Sequence, residues 1–221
     1  MSKAPAAGGV AVLGGTFNPI HFGHLRSALE LVDALPLAEL RFMPARQPPH
    51  RDAPAVSAED RAAMVELAIA GEPRFACDRR ELQREGPSYS YDSLGELRRE
   101  LGPAMPLSLV MGCDALLGLT GWYRWRELLD FAHLLVIARP GWEMPATGEL
   151  ADFVREHTAD PAILRSRPAG CIVSQTLRPQ DISATAIRAL LQSGHSARYL
   201  MPDSVLDYIR EHGLYARSRQ D

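Results

Sequence analysis

The chain has 221 residues, 46% of them hydrophobic and 23% charged, with a formal net charge of -3 at pH 7. That size and balance suit one well-packed globular domain, and the mildly acidic total excludes a global positive field toward nucleic acid or an anionic membrane. No stretch has the form of a signal peptide or a membrane span. The scattered cysteines Cys77, Cys113 and Cys171 make neither a disulfide framework nor a metal-ligand pair, so a cytoplasmic location is expected.

Residues 1–9 read as a flexible start. Val10 to Leu13 is an apolar run stopped by Gly14-Gly15, the pattern of a buried strand entering a tight turn. From His24 the spacing of Leu25, Ala28, Leu29 and Val32 is helical. Leu40 to Met43 predicts a second strand, followed by a proline-rich loop from Pro44 to Pro54. Ser57 can cap a helix running through Met64, Leu67 and Ala68. Arg74 to Cys77 is a weak strand. A helix starting around Ser90 carries Leu94, Leu97 and Leu101, and Leu107 to Met111 is the next strand.

Leu128-Leu129 close a further helix ahead of the apolar strand Leu134 to Ala138. Residues 139–170 read as a surface excursion with a helix around Leu150 to His157. Cys171 to Ser174 is the last strand. Two helices follow, one from Ser183 to near Gly194 and one from Pro202 to Gly213, before a tail at 216–221. Alternating strands and helices predict an α/β fold: a Rossmann-like, doubly wound parallel sheet with helices on both faces. It forms a single domain over residues 10–215, ending in C-terminal helices. Ligands of such sheets sit beyond the carboxyl ends of the strands, where Gly14-Gly15, Gly112, Arg139 and the loop before Ser183 all fall.

The first constellation of chemistry-bearing residues is Gly14-Gly15-Thr16-Phe17-Asn18-Pro19-Ile20-His21-Phe22-Gly23-His24. The paired glycines let backbone N–H groups approach a ligand, and the helix start favours an anion. His21 and His24, three apart, can face one side. No third ligand stands at a useful spacing, so no protein-held metal site is expected. No G-x-x-x-x-G-K-[ST] occurs, and the only lysine is Lys3, so the basic work falls to Arg and His.

This string resembles the nucleotidylyltransferase superfamily, whose signature is a His-x-x-His or Thr-x-x-His after a glycine turn. Ile182-Ser183-Ala184-Thr185-Ala186-Ile187-Arg188 resembles that superfamily's second signature. Ser183 and Thr185 offer hydroxyls and N–H groups at a helix start, with Arg188 one turn on. The resemblance implies that Gly14, Gly15, Thr16, Phe17, His24, Ser183, Thr185 and Arg188 bind ATP. His21, His24 and Arg188 would form the catalytic set.

Three middle segments narrow the family. They are Pro44 to Arg51, Glu81 to Asp92, and Gly112-Cys113-Asp114 with Trp122-Tyr123-Arg124-Trp125. With the ending Tyr199 to Tyr215, they resemble the bacterial nicotinate mononucleotide adenylyltransferases. The resemblance implies transfer of AMP from ATP to nicotinate mononucleotide, giving nicotinate adenine dinucleotide and pyrophosphate on the way to NAD. Arg46, His50 and Arg51 would bind the mononucleotide phosphate, with Asn18 also on the substrate side. Trp122 would stack on the pyridine ring, and the N–H groups of Ser90 and Tyr123 would receive its carboxylate. Asp114 would hydrogen-bond a ribose. Position 90 is Ser where many relatives have Thr, and Trp125 fits a core role equally well.

The expected reaction is in-line attack of the mononucleotide phosphate on the α-phosphorus of ATP. With a second pKa of about 6 the attacking phosphate is already largely dianionic, so no general base is needed. Mg2+ would arrive with ATP, held mainly by nucleotide and water. Two alternatives stay open at this point. One is an adenylyltransferase for nicotinamide mononucleotide or another phosphorylated acceptor, and the other is a non-catalytic nucleotide sensor on the same fold. Oligomeric state is left open by the sequence.

Overall fold

The apolar runs become the strands of one sheet. The computed structural model describes residues 8–47, 54–138, 141 and 146–216. In it β1 (Gly9–Gly15), β2 (Leu37–Pro44), β3 (Phe75–Cys77), β4 (Leu107–Gly112), β5 (His133–Ala138) and β6 (Ile172–Thr176) lie in the order β3-β2-β1-β4-β5-β6. Every pairing is parallel, with Val12 opposite Arg41 on one side and Leu109 on the other. Since β1 lies between β2 and β4, the chain leaves it in one direction first and returns past it in the other. This reversal opens a crevice at the carboxyl ends of β1 and β4.

Side chains alternate along each strand, which splits the core into two layers. Ala11, Leu40, Phe42, Val110 and Leu135 face one side. They meet Leu31 of α1 (Phe22–Ala34), Met64 of α2 (Ala58–Ile69), Ile187 of α7 (Ala184–Gln192) and Val205 of α8 (Asp203–Glu211). Val10, Val12, Leu109, Leu134 and Val136 face the other side. Their partners include Leu97 of α3 (Ser90–Leu101), Leu116 of α4 (Cys113–Leu117), Leu128 of α5 (Leu128–Phe131) and Phe153 of α6 (Glu149–His157). Burying each of these side chains other than Ala11 stabilises the fold by about 1.5–3 kcal/mol. The α/β sheet wrapped on both faces is therefore the one the alternation predicts.

Local signals placed most element ends. The Ser57 hydroxyl accepts from the Asp60 N–H (3.0 Å), capping α2. The Ser183 hydroxyl accepts from the Ala186 N–H (3.2 Å), capping α7. Gly194 and Gly213, at φ 77° and 61°, end the last two helices in the left-handed conformation a C-terminal cap requires. Two differences stand out. Helix α1 begins at Phe22, with His21 as its extended cap residue, so His21 and His24 belong to one helical turn. The stretch before β5 is broken, not one helix closed by Leu128-Leu129. Helix α4 gives way to 3-10 turns at Leu119–Gly121 and Trp125–Glu127 before α5. Gly118 and Gly121 interrupt it, and Arg124 sits left-handed at φ 51°. Buried Leu119 and Trp125 pin these turns to the sheet, a tertiary preference that overrides helical spacing.

Within residues 139–170, α6 and the 3-10 turn Pro161–Arg165 bury Phe153 and Leu164. The three cysteines are free. Among the described residues no helix is long and apolar enough to cross a membrane.

Candidate active site

The crevice at the strand ends is a cavity of about 750 Å³. Its floor is Leu109 and Val110 of β4. Gly14, Gly15, Thr16, Phe17, Asn18, His21 and His24 line it from the β1–α1 turn, and Ile182 to Thr185 with Arg188 from the start of α7. The remaining wall carries Ala45, Pro54, Glu81, Ser88, Tyr89, Ser90, Trp122 and Tyr123. The segments that carry the two superfamily signatures, far apart in the chain, therefore converge on one space. The N-termini of α1 and α7 both open onto it, adding partial positive charge where an anion would lie.

Glycine is required in the turn for space. A Cβ on Gly15 would stand 2.9 Å from the Phe17 ring, and one on Gly23 would stand 2.9 Å from the His21 ring. Gly14 has open space, so it is the residue past which a ligand can reach the backbone. Gly23 is what allows His21 to fold back over the helix start. The two imidazoles then stack, with centroids 3.8 Å apart, and the Phe17 ring meets His24 edge-on at 5.2 Å.

The His21 backbone N–H donates to His24 Nδ1 (3.3 Å). With Nδ1 accepting, the His24 proton resides on Nε2 in the neutral ring, and that N–H is the donor left for a ligand. Burial pushes the pKa of His21 from 6.5 down to about 4. Burial, and secondarily the charge on His21, pushes His24 from 6.5 down to about 3. Both rings are thus neutral at pH 7 in the free protein, and His24 offers an oriented dipole with no added charge.

Lowered folded-state pKa values make the unfolded chain the stronger proton binder between pH 6.5 and those values. The stability contributed by the neutral pair is complete above about pH 6.5 and is lost as the pH falls toward 4 and then 3. Buried His133, held by the Arg167 carbonyl and the Cys171 N–H, is shifted down by burial and acts in the same direction. The urea midpoint is expected to decline from pH 7 to pH 4, and a His21→Asn/His24→Asn double variant to decline less steeply. Identical slopes would assign the acid sensitivity to other groups.

Arg188 ties the two signatures together. Its Nη1 donates to the Asn18 carbonyl (2.7 Å) and its Nη2 to the Thr185 hydroxyl (3.2 Å), with other N–H groups left over for a ligand. The Tyr215 hydroxyl, from the C-terminal segment, donates to Asn18 Oδ1 (2.6 Å). Asn18 is held at both its main-chain and side-chain oxygens, and its amide NH2 has no hydrogen-bond partner among the described residues. The Ser183 hydroxyl already accepts from its own helix, and its O–H remains a donor.

On the aromatic wall Ser90 opens α3, and the Tyr89 and Tyr123 rings lie 4.8 Å apart. Glu81 lines the wall but is buried, with its Oε1 2.7 Å from the Ser93 hydroxyl, and burial raises its pKa. Arg84 donates to the same hydroxyl (2.9 Å).

Two expected site residues stand elsewhere. Arg46 does not line the cavity, since its guanidinium donates to the carbonyls of Leu82 (3.4 Å) and Arg84 (3.0 Å). Asp114 lies in the first turn of α4, exposed and outside the lining residues. His50 and Arg51 lie outside the described residues.

Sequence reasoning did not single out Glu81, Ser88, Tyr89, Arg61 or Tyr215 for the site. Glu81, Ser88 and Tyr89 sit inside a segment that resembles the family. Nothing local marks Arg61, which looks like any charge on an amphipathic helix.

The chain matches the Cytidylyltransferase-like family over residues 12–190. It is 49% identical over 215 residues to a Pseudomonas putida (strain W619) protein named "Probable nicotinate-nucleotide adenylyltransferase", covering 97% of this chain and 98% of that one. An Aeromonas hydrophila protein of the same name is 51% identical over 207 residues, covering 93% and 96%. The fold is shared with a Plasmodium falciparum nicotinic acid mononucleotide adenylyltransferase solved with NaAD. The TM-score is 0.67 at 18% identity, covering 93% of this chain and 96% of that one. With half its residues identical to these relatives over nearly its full length, the chain belongs to the Cytidylyltransferase-like family and, within it, to the nicotinate-nucleotide adenylyltransferases.

Proposed function

We propose that this chain transfers AMP from ATP to nicotinate mononucleotide, forming nicotinate adenine dinucleotide and pyrophosphate in NAD biosynthesis. The observation that carries this reading is one cavity with two chemically different walls. The wall with the glycine turn and two helix starts suits a polyphosphate, and the wall with Trp122, Tyr123 and the start of α3 suits an aromatic acid.

The attacking phosphate is largely dianionic near pH 7, so the chain has no proton to remove. Its work is to bring two anions together and to bear the charge that grows toward the leaving pyrophosphate. In this reading Gly14, Gly15, Thr16 and Phe17 seat ATP beside α1. His24 donates Nε2–H, and His21 supports it by stacking and backbone contact. Arg188 supplies full charge beside Ser183 and Thr185. Trp122 stacks on the pyridine ring, while the N–H groups of Ser90 and Tyr123 receive its carboxylate.

The acceptor phosphate falls to His50 and Arg51. Arg46 assists through the loop it anchors to residues 82–84, and Asn18 offers its amide from the turn. Asp114, although outside the residues that line the cavity, is assigned to the ribose. The nucleotide enters as its Mg2+ complex. The cation is carried by ATP and water. Residues 10–215 act as one domain, and a cytoplasmic setting suits the free thiols.

The test is pyrophosphate release from MgATP with nicotinate and nicotinamide mononucleotides side by side. Strong preference for the acid is the expected result, because N–H groups attract a carboxylate and repel an amide NH2. Equal use of both would keep the enzyme class and remove the carboxylate pocket. No release with either would return the reading to a nucleotide sensor.

A further inference from the structure

Arg61, on the second turn of α2, is 1% exposed, and it belongs to neither signature. Its Nη1 donates to the Thr16 carbonyl (2.6 Å), and its Nη2 donates to the carbonyls of Ala45 (2.7 Å) and Arg46 (3.3 Å). Its Nε is buried without a hydrogen-bond partner among the described residues. None of the ion pairs found among the described residues includes it, and burial lowers its pKa.

A desolvated guanidinium held only by neutral carbonyls is costly. Tying two loops together needs donors but no charge, and a neutral amide could supply some of them. Arg61 does not itself line the cavity, but Thr16 and Ala45, whose carbonyls it holds, do, and its charge becomes useful once anions lie against them. Thr16 lies on the polyphosphate wall of that cavity and Ala45 on the acceptor wall, so one planar fork spans the two sides that must bring their substrates into line.

We propose that Arg61 is a positioning residue for adenylyl transfer: it sets the spacing between the ATP turn and the acceptor loop, and its buried charge is balanced by the substrates' phosphates. This rests on the two-substrate reading given above. A fixed fork pre-organises both walls before binding, so it acts on the alignment of the substrates as well as on their affinity. Lysine cannot replace it fully, because one ammonium on a flexible stem does not reproduce a planar fork across two loops.

The test uses the full chain with Arg61→Met and Arg61→Lys. Each variant is assayed well below its melting temperature for kcat and both KM values. Each is also titrated, without acceptor, with adenosine and with α,β-methylene ATP. Arg61→Met is expected to lower kcat about tenfold and to weaken the methylene analogue about tenfold, leaving adenosine binding unchanged. Arg61→Lys is expected to restore binding of the analogue and not kcat.

Unchanged kcat, KM and analogue-to-adenosine ratio in Arg61→Met, with only a lower melting temperature, would reduce Arg61 to a structural role. Full recovery by Arg61→Lys would remove the fork geometry. If Arg61→Met does not fold, Arg61→Lys against the wild type decides, since only the proposal separates kcat from analogue affinity. Absence of turnover in the wild type would overturn the acceptor reading, while the two titrations would still report on the charge of Arg61.

Discussion

Replacing His24 with Ala is expected to lower kcat by about 10²-fold or more, the loss found when one pre-oriented donor to a developing charge is removed. The His24 donor is unusually well defined. Its Nδ1 is committed to the His21 N–H, which fixes Nε2 as the proton carrier, and the Phe17 and His21 rings hold its plane. Burial keeps it neutral in the free protein, so it meets the nucleotide as a dipole that needs no reorganisation during reaction.

The KM for ATP should change only a few-fold, because in the proposed reading the ground-state grip is shared with Arg188 and two helix starts. His24→Asn is the informative companion, since it offers a neutral N–H donor on a shorter arm. It should recover part of the loss if a dipole suffices. The measurement is initial-rate pyrophosphate release at saturating ATP, with melting curves run alongside, since losing the acceptor for the His21 N–H is expected to cost about 1 kcal/mol of stability. Turnover of His24→Ala within a few-fold of wild type would remove His24 from the reaction.

Arg188→Ala should be at least as damaging, lowering kcat/KM for ATP by about 10²–10³-fold. Two losses combine. One is the full positive charge that the proposed reading sets beside the phosphates. The other is the tie from α7 to the Asn18 carbonyl and the Thr185 hydroxyl, which keeps the two signatures in register. Arg188→Lys separates them. It keeps the charge but cannot hold both partners in the plane of a guanidinium, so it should regain ground-state affinity for ATP and little of kcat. Equal kinetics for Arg188→Lys and wild type would mean that charge alone matters. Normal kinetics for Arg188→Ala would place the polyphosphate elsewhere.

The strands and helices of this chain were legible in order because the signals behind them are local. Apolar runs of four to six residues, helical spacing, Ser57 and Ser183 as caps, and glycines at helix ends each act within a few residues of themselves. The glycine turn with its two histidines, and the segment Ile182 to Arg188, were legible for the same reason. A phosphate needs a helix start and a close backbone approach, and both are written within a dozen consecutive residues. Alternation of strands and helices then determined the parallel sheet, and the sheet determined the end at which ligands bind.

What only the tertiary structure decided depends on groups that are distant in the chain. Arg188 and Asn18 are separated by 170 positions, Tyr215 and Asn18 by 197, and Arg61 and Thr16 by 45. No periodicity links such pairs. The break of the chain at Gly118 to Arg124 follows from where Leu119 and Trp125 find burial, which helical spacing cannot show. The neutral state of the histidine pair, the raised pKa of Glu81 and the lowered pKa of Arg61 all come from removal of water. Desolvation is a property of the packed molecule. The sequence alone therefore determined the order of strands and helices and the end of the sheet at which the crevice opens, while packing decided which side chains line it, the neutral state of the histidine pair and the side chains that hold that pair in place.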